Sequence, residues 1–161
     1  MSDCFLLLGT NQGDKIQNLE TAARMISDQT GEILTQSSIY VTAAWGIEDQ
    51  EEFLNQVLKI ESTLSVEEMM DTCLSIEKDM GRVREVKWGS RLIDIDILYF
   101  DDLVFESENV NVPHPAIQDR RFTLVPLVEI AAQFMHPKMQ QTQKELLEKC
   151  SDKLEVKIFE R

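Results

Sequence analysis

The chain has 161 residues, 43% of them hydrophobic, and carries a net charge of −13. That is the size of one ordinary domain, with enough apolar material for a core, which excludes a disordered chain. The acidity argues against non-specific attachment to nucleic acid or anionic membrane, and no apolar run approaches the roughly 18 residues of a membrane span.

The opening stretch MSDCFLLLGTNQGD has an acidic residue at position 3 and no basic start. Its apolar run stops at Gly9, so it reads as a strand over about Asp3 to Leu8 and not as a signal peptide. A helix follows from Asn11–Asp14, with an apolar stripe of Ile16, Leu19, Ala22, Ala23 and Ile26 and with Gly31 as its expected C-cap. Residues 32–41 alternate like a strand, and a loop of about ten residues leads to a second strand over Phe53–Glu61. Ser65 and Glu68 form a capping box that starts a helix running to Gly81. A basic loop comes next, then an apolar strand containing Asp94 and Asp96. Residues 107–119 are polar and turn-rich around Val112-Pro113-His114-Pro115. Short helices are expected over Leu124–Ala132 and Gln141–Cys150, and Lys153–Phe159 alternates like a last edge strand.

The order β-α-β-β-α-β predicts an α+β, ferredoxin-like antiparallel sheet with helices on one face and a C-terminal extension, spanning residues 1–161 as one domain. Such a fold implies no activity by itself. The three cysteines, Cys4, Cys73 and Cys150, are widely spaced and form no metal or disulfide pattern, which predicts a reducing, cytoplasmic setting.

Asp94 and Asp96 lie two apart on a strand, so both carboxylates point the same way with about 6.6 Å between their backbones. A solvated strand face is the plain explanation of such a pair. Here, however, Leu92 and Leu98 share that face, and Ile93, Ile95, Ile97 and Tyr99 occupy the other, which predicts a central strand. Two carboxylates in that setting repel each other and lose hydration unless a cation joins them, and an all-oxygen donor set suits Mg²⁺. Arg82, Arg84, Lys87 and Arg91 fall within ten residues just upstream, in an otherwise acidic chain. Beside a metal-ready pair they read as a phosphate grip, because arginine makes forked hydrogen bonds to phosphate oxygens. Phosphoryl transfer works largely by positioning and charge stabilisation, so it needs no nucleophilic side chain. The chain contains neither a P-loop nor a G-x-G-x-x-G motif. His114, held between prolines, is either a donor beside a phosphate or a loop residue without a role, and His136 receives no role.

The pattern Gly81-Arg82-Val83-Arg84, Trp88-Gly89, Arg91, Asp94-Ile95-Asp96, Val112-Pro113-His114, Arg120-Arg121-Phe122 resembles the hydroxymethyl-dihydropterin pyrophosphokinases of folate biosynthesis. Gly9-Thr10-Asn11 and Phe53-Leu54-Asn55 fit as well, so the likeness runs through nearly the whole chain. It implies transfer of the pyrophosphoryl group of ATP to the 6-hydroxymethyl oxygen of a reduced pterin, releasing AMP, with two Mg²⁺ ions held by Asp94 and Asp96. Arg82, Arg84 and Arg91 would join the aspartates as catalytic residues. Thr42, Ala43, Trp45, Phe53, Asn55, Trp88 and Phe122 would bind the pterin. Glu77, Ile97, His114 and Arg120, with Arg82, Arg84, Trp88 and Arg91, would bind the nucleotide. From the residues alone, Phe53 and Phe122 read as ordinary core. The family often has Thr-Pro-Pro where this chain has Thr42-Ala43-Ala44, so the pterin loop is expected to be less rigid. The resemblance further implies a monomer acting on two small molecules, with neither nucleic acid nor membrane as partner.

Two other classes stay open on the residues. Palm-type polymerases and cyclases place paired strand carboxylates on a similar sheet, although an acidic surface disfavours a nucleic-acid partner. A non-catalytic ligand-binding module of this fold has no need of convergent metal and phosphate groups.

Overall fold

The structure, a computed structural model, describes residues 1–43, 52–82 and 92–160, with Arg82 described for its backbone only. The expected basic loop, including Arg84, Trp88 and Arg91, and the tip carrying Trp45 lie outside the described residues.

The elements in chain order are β1 (Ser2–Thr10), α1 (Lys15–Gln29), β2 (Gly31–Gln36), β3 (Tyr40–Thr42), β4 (Phe53–Ser62), α2 (Val66–Arg82) and β5 (Asp94–Phe100). Then follow β6 (Phe105–Glu106), β7 (Asn111–Val112), a 3-10 turn (Ile117–Asp119), α3 (Arg121–Ala131), α4 (Gln143–Lys149) and β8 (Lys157–Ile158). The main sheet is antiparallel in the order β5-β1-β4-β3-β8, with β2 also paired to β4. β2 pairs with residues 58–62 of β4 and β3 with residues 53–55, so the two are halves of one strand. That arrangement is the ferredoxin-like βαββαβ frame.

Local chemistry explains the elements. Asp14 caps α1 by accepting from the Gln17 N–H at 3.1 Å, and Ser65 and Glu68 close their capping box at 2.9 and 3.1 Å. Gly31 is not a helix cap: Thr30 ends α1, and Gly31 begins β2. A Cβ on Gly31 would collide with the Glu61 carbonyl oxygen, so the residue is needed for close approach of β2 to β4. The single strand expected over residues 32–41 is broken at Ser37. Its N–H donates to Val57 O and its hydroxyl oxygen accepts from the Val57 N–H, both at 2.9 Å, so a side chain replaces a ladder carbonyl.

The sheet carries a core on each face. Leu6, Leu8, Leu58, Ile60, Ile95 and Ile97 pack with Leu19, Ile26, Met69 and Ile76 of α1 and α2. Phe5, Leu7, Val57, Leu98 and Tyr99 pack on the other side with Leu124 and Leu127 of α3 and Leu146 of α4. The expected pair of helices thus covers one face, and the C-terminal extension folds onto the opposite one. Tyr99 anchors it: the Phe134 ring packs against it at a tilt, 4.7 Å between centroids, and Gln143 donates to the Tyr99 hydroxyl at 2.8 Å.

β5 corrects two expectations. It ends the sheet instead of lying at its centre, and β7 with the following loop covers its open side, where the His114 N–H donates to Leu98 O at 2.9 Å. Its alternation also breaks. Phe5 pairs with Tyr99 but Leu6 with Ile97, so Leu98 is a bulge residue, and Leu98 and Tyr99 both enter the second core.

Candidate active site

The second face of the sheet is filled by α3 and α4 over only part of its area. At the ends of β1 and β5 it opens into a cavity of about 630 Å³, within the size range of small-molecule sites. The floor is a row of residues in register: Asn55 on β4 faces Gly9 on β1, which faces Asp94 on β5. One row deeper, Val57, Leu7 and Asp96 repeat the pattern. Phe53, two residues from Asn55, shares that face and pairs with Thr42 on β3.

Gly9 lies where a side chain would obstruct this floor. A Cβ there would come within 2.8 Å of Asn55 Oδ1. Its absence lets the buried Asn55 amide lie over the strand and leaves a channel from Asn55 to the aspartates. With strands about 4.8 Å apart, the floor from β5 to β3 spans about 14 Å. That is long enough for a flat heterocycle at one end and a phosphate chain at the other.

The walls bring further expected residues to the same space. Ala43 follows Thr42 on the β3 side, and Arg120 and Phe122 enter from the start of α3. The Arg120 guanidinium lies 5.7 Å from the Phe122 ring centroid. Asp94 is exposed and Asp96 half-buried, so both carboxylates are reachable from the cavity. No cluster of three or more His, Cys, Asp or Glu able to hold a metal is found among the described residues. A carboxylate pair nevertheless fits Mg²⁺, which keeps several waters and shares substrate phosphates.

His114 stands beside this end. Its Nδ1 accepts from the Ala116 N–H at 3.1 Å, which assigns the proton of the neutral ring to Nε2. Burial lowers its pKa, the Asp96 charge acts upward, and the Arg120 charge acts downward.

Two expected nucleotide residues do not face the cavity. The Ile97 side chain is buried in the α1–α2 core, because strand alternation turns it away from Asp96. Glu77 on α2 is also buried, and its Oε2 accepts from the Ile95 N–H at 2.7 Å. Ile95 lies between the two aspartates on a strand whose outer edge has no neighbouring long strand among the described residues. Glu77 therefore satisfies that edge and fixes the aspartates' backbone.

Sequence reasoning did not find Leu7, Asp119, Ser151, Asp152 or Leu154 as lining residues. Leu7 was legible as a strand residue facing away from Leu6 and Leu8. Those near the C-terminus carry no local signal, since they reach the cavity through tertiary packing. Asp94, Asp96, Asp119 and Asp152 outnumber Arg120 among the described lining residues, so the described part of the lining is acidic and suited to cations.

A family model described as 7,8-dihydro-6-hydroxymethylpterin-pyrophosphokinase matches residues 5–132. A 2-amino-4-hydroxy-6-hydroxymethyldihydropteridine pyrophosphokinase of Methylorubrum extorquens is 40% identical over 132 residues, covering 81% of this chain and 84% of that protein. The protein of the same description from Bacillus subtilis is 36% identical over 158 residues, covering 98% of this chain and 90% of its own length. The folic acid synthesis protein fol1 of Schizosaccharomyces pombe is 38% identical over 146 residues, but the matched part is only 20% of that longer protein. Among solved structures, Plasmodium falciparum HPPK-DHPS superposes with a TM-score of 0.77 at 17% identity, over 92% of this chain and 43% of that one, a likeness of fold.

Proposed function

The chain belongs to the 7,8-dihydro-6-hydroxymethylpterin-pyrophosphokinase family, and we propose that its own residues carry the family's reaction as follows. The enzyme transfers the pyrophosphoryl group of ATP to the 6-hydroxymethyl oxygen of 6-hydroxymethyl-7,8-dihydropterin, in folate biosynthesis. The hydroxyl oxygen forms a bond to the β-phosphorus. The bond from that phosphorus to the α–β bridging oxygen breaks, AMP leaves with that oxygen, and the hydroxyl proton is released.

The observation that carries this reading is the row Asn55–Gly9–Asp94, which links a heterocycle-sized end to a carboxylate end in one cavity. Phe53 and Phe122 offer aromatic faces to the pterin, and the Asn55 amide both donates and accepts along its edge. Thr42 and Ala43 complete that end; Trp45 and Trp88, outside the described residues, would be further pterin contacts. Asp94 and Asp96 would hold Mg²⁺, with two ions as the complement; when bound, the metal supplies neutralisation of the polyphosphate charge. Arg120 and His114 contact the nucleotide. The described cavity is acidic, so the cations that grip phosphate come largely from Arg82, Arg84 and Arg91. Glu77 acts from behind, holding the strand that carries the aspartates. Ile97 contributes no side chain to this site.

The substrates of this reaction are two small molecules, and a monomer is the proposed working state. Cys4, Cys73 and Cys150 are free and buried, which supports a reducing cytoplasm. Among the described residues no helix is long and apolar enough to cross a membrane.

Phosphorus NMR of the protein with ATP, Mg²⁺ and hydroxymethyl-dihydropterin tests the reading. AMP and a pterin diphosphate are expected in equal amounts. Formation of ADP, of free pyrophosphate, or of nothing contradicts it.

A further inference from the structure

The cavity has a wall that lies beyond residues 5–132, the part matched by the family model. Ser151, Asp152 and Leu154 line it, next in the chain to α4. This segment is anchored at both ends. Upstream, Leu146 and Cys150 are buried in the second core and Gln143 bonds Tyr99. Downstream, β8 pairs with Tyr40 and Val41 of β3.

Asp152 uses both carboxylate oxygens inside this wall. Oδ2 accepts from the Arg121 N–H at 3.0 Å, and Oδ1 accepts from the Leu154 N–H at 2.9 Å. The first bond supplies what α3 lacks locally. Arg120 occupies the N-cap position and makes no side-chain cap bond, so the helix takes its cap from a residue 31 positions away. A carboxylate is the favourable group at that end of a helix. Arg121 lies between Arg120 and Phe122, so fixing its N–H fixes the backbone from which both reach the cavity. The second bond closes a turn that directs Leu154 to the same space.

We propose that Asp152 is a positioning residue for substrate binding: from the C-terminal segment it holds Arg120 and Phe122 of α3, and Leu154, in place around the cavity. This rests on the reading of that cavity as the substrate site. Its role requires an acceptor oxygen facing Arg121, and the charge adds to it. Loss of the cap loosens the first turn of α3, which weakens binding of both substrates more than it slows the chemical step.

The test uses the full chain, unaltered and as Asp152→Ala and Asp152→Asn. It reads AMP formation, KM for ATP and for hydroxymethyl-dihydropterin, kcat, and the pterin dissociation constant by fluorescence. Asp152→Ala is expected to raise both KM values and the dissociation constant by about fivefold, the scale of a lost helix cap, with kcat within about twofold. Asp152→Asn keeps an acceptor and is expected to recover to within about twofold of the unaltered chain. Binding unchanged in Asp152→Ala, or an equal loss in Asn and Ala variants, overturns the proposal. If Asp152→Ala does not fold, Asp152→Ser, whose shorter hydroxyl caps more weakly, must raise the pterin dissociation constant by about threefold, and no change overturns the proposal. An unaltered chain that forms no AMP overturns the functional reading itself, and the proposal with it. An active unaltered chain with indifferent variants overturns the proposal alone.

Discussion

Gly9 and Thr123 make opposite demands on their neighbourhoods. At Gly9 a methyl group would press on Asn55 Oδ1 at 2.8 Å, while the extended backbone itself accepts alanine without difficulty. Gly9→Ala is therefore expected to leave stability within about 1 kcal/mol of the original and to raise the pterin dissociation constant by about tenfold, since a displaced buried partner costs on the order of 1–3 kcal/mol. Urea unfolding and a binding titration separate the two effects. Thr123 sits in α3 with its hydroxyl buried and without a hydrogen-bond partner among the described residues. Thr123→Val keeps the branched shape and removes the unpaired group. A gain of about 1 kcal/mol is expected, which calorimetry would register as a rise of about 3 °C in Tm.

Helix α3 works as a strut between the two ends of the cavity. Its first turn presents Arg120 and Phe122, and Glu129 near its other end holds the junction of β2 and β3. Glu129 accepts from the Ser38 N–H and the Tyr40 hydroxyl at 2.8 Å and from the Ser38 hydroxyl at 2.7 Å. Burial and then the bond to Glu129 push the Tyr40 phenol up to about 12, so it remains a donor throughout the neutral range. Glu129→Ala leaves three donors short of an acceptor, and a loss of about 2 kcal/mol in urea unfolding is expected, with weaker pterin binding through the displacement of Thr42. Unchanged stability would contradict the strut. Much of this level is legible in the sequence: the Ser65–Glu68 capping box, the shared face of Asp94 and Asp96, and the βαββαβ order all follow from local spacing. The break at Ser37, the bulge at Leu98 and the edge position of β5 do not. Each depends on what a distant segment offers: Val57 to Ser37, Phe5 and Leu6 to Leu98, and Glu77 and His114 to the open side of β5. The contribution of Asp152 to the cavity is hidden for the same reason.

At the scale of the molecule, two cores share one sheet, and the site lies where the second core stops short. The C-terminal extension closes that core through Tyr99, Phe134 and His136. Burial lowers the pKa of His136, and its Nδ1 accepts from the N–H groups of Lys138 and Met139 at 3.1 and 3.0 Å, so the fold favours the neutral ring. An unfolded histidine titrates near 6.5, so the unfolded chain binds the proton first. The stability that neutral His136 contributes is complete above about pH 6.5 and is lost as pH falls towards its lower folded value. Tm is accordingly expected to fall more steeply between pH 7 and pH 5 in the unaltered chain than in His136→Asn, whose amide oxygen accepts without titrating; parallel curves would refute this. In the proposed function, the two aspartates at the carboxylate end serve the transfer and not the fold. The direct measurement is the rate of AMP formation by Asp96→Asn, with circular dichroism on the same sample. Altering groups that merely support metal ligands commonly costs 10–100-fold, so a direct ligand is expected to cost about 100-fold or more, with an unchanged spectrum. A rate near that of the unaltered enzyme would show that Asp96 has no part in the transfer.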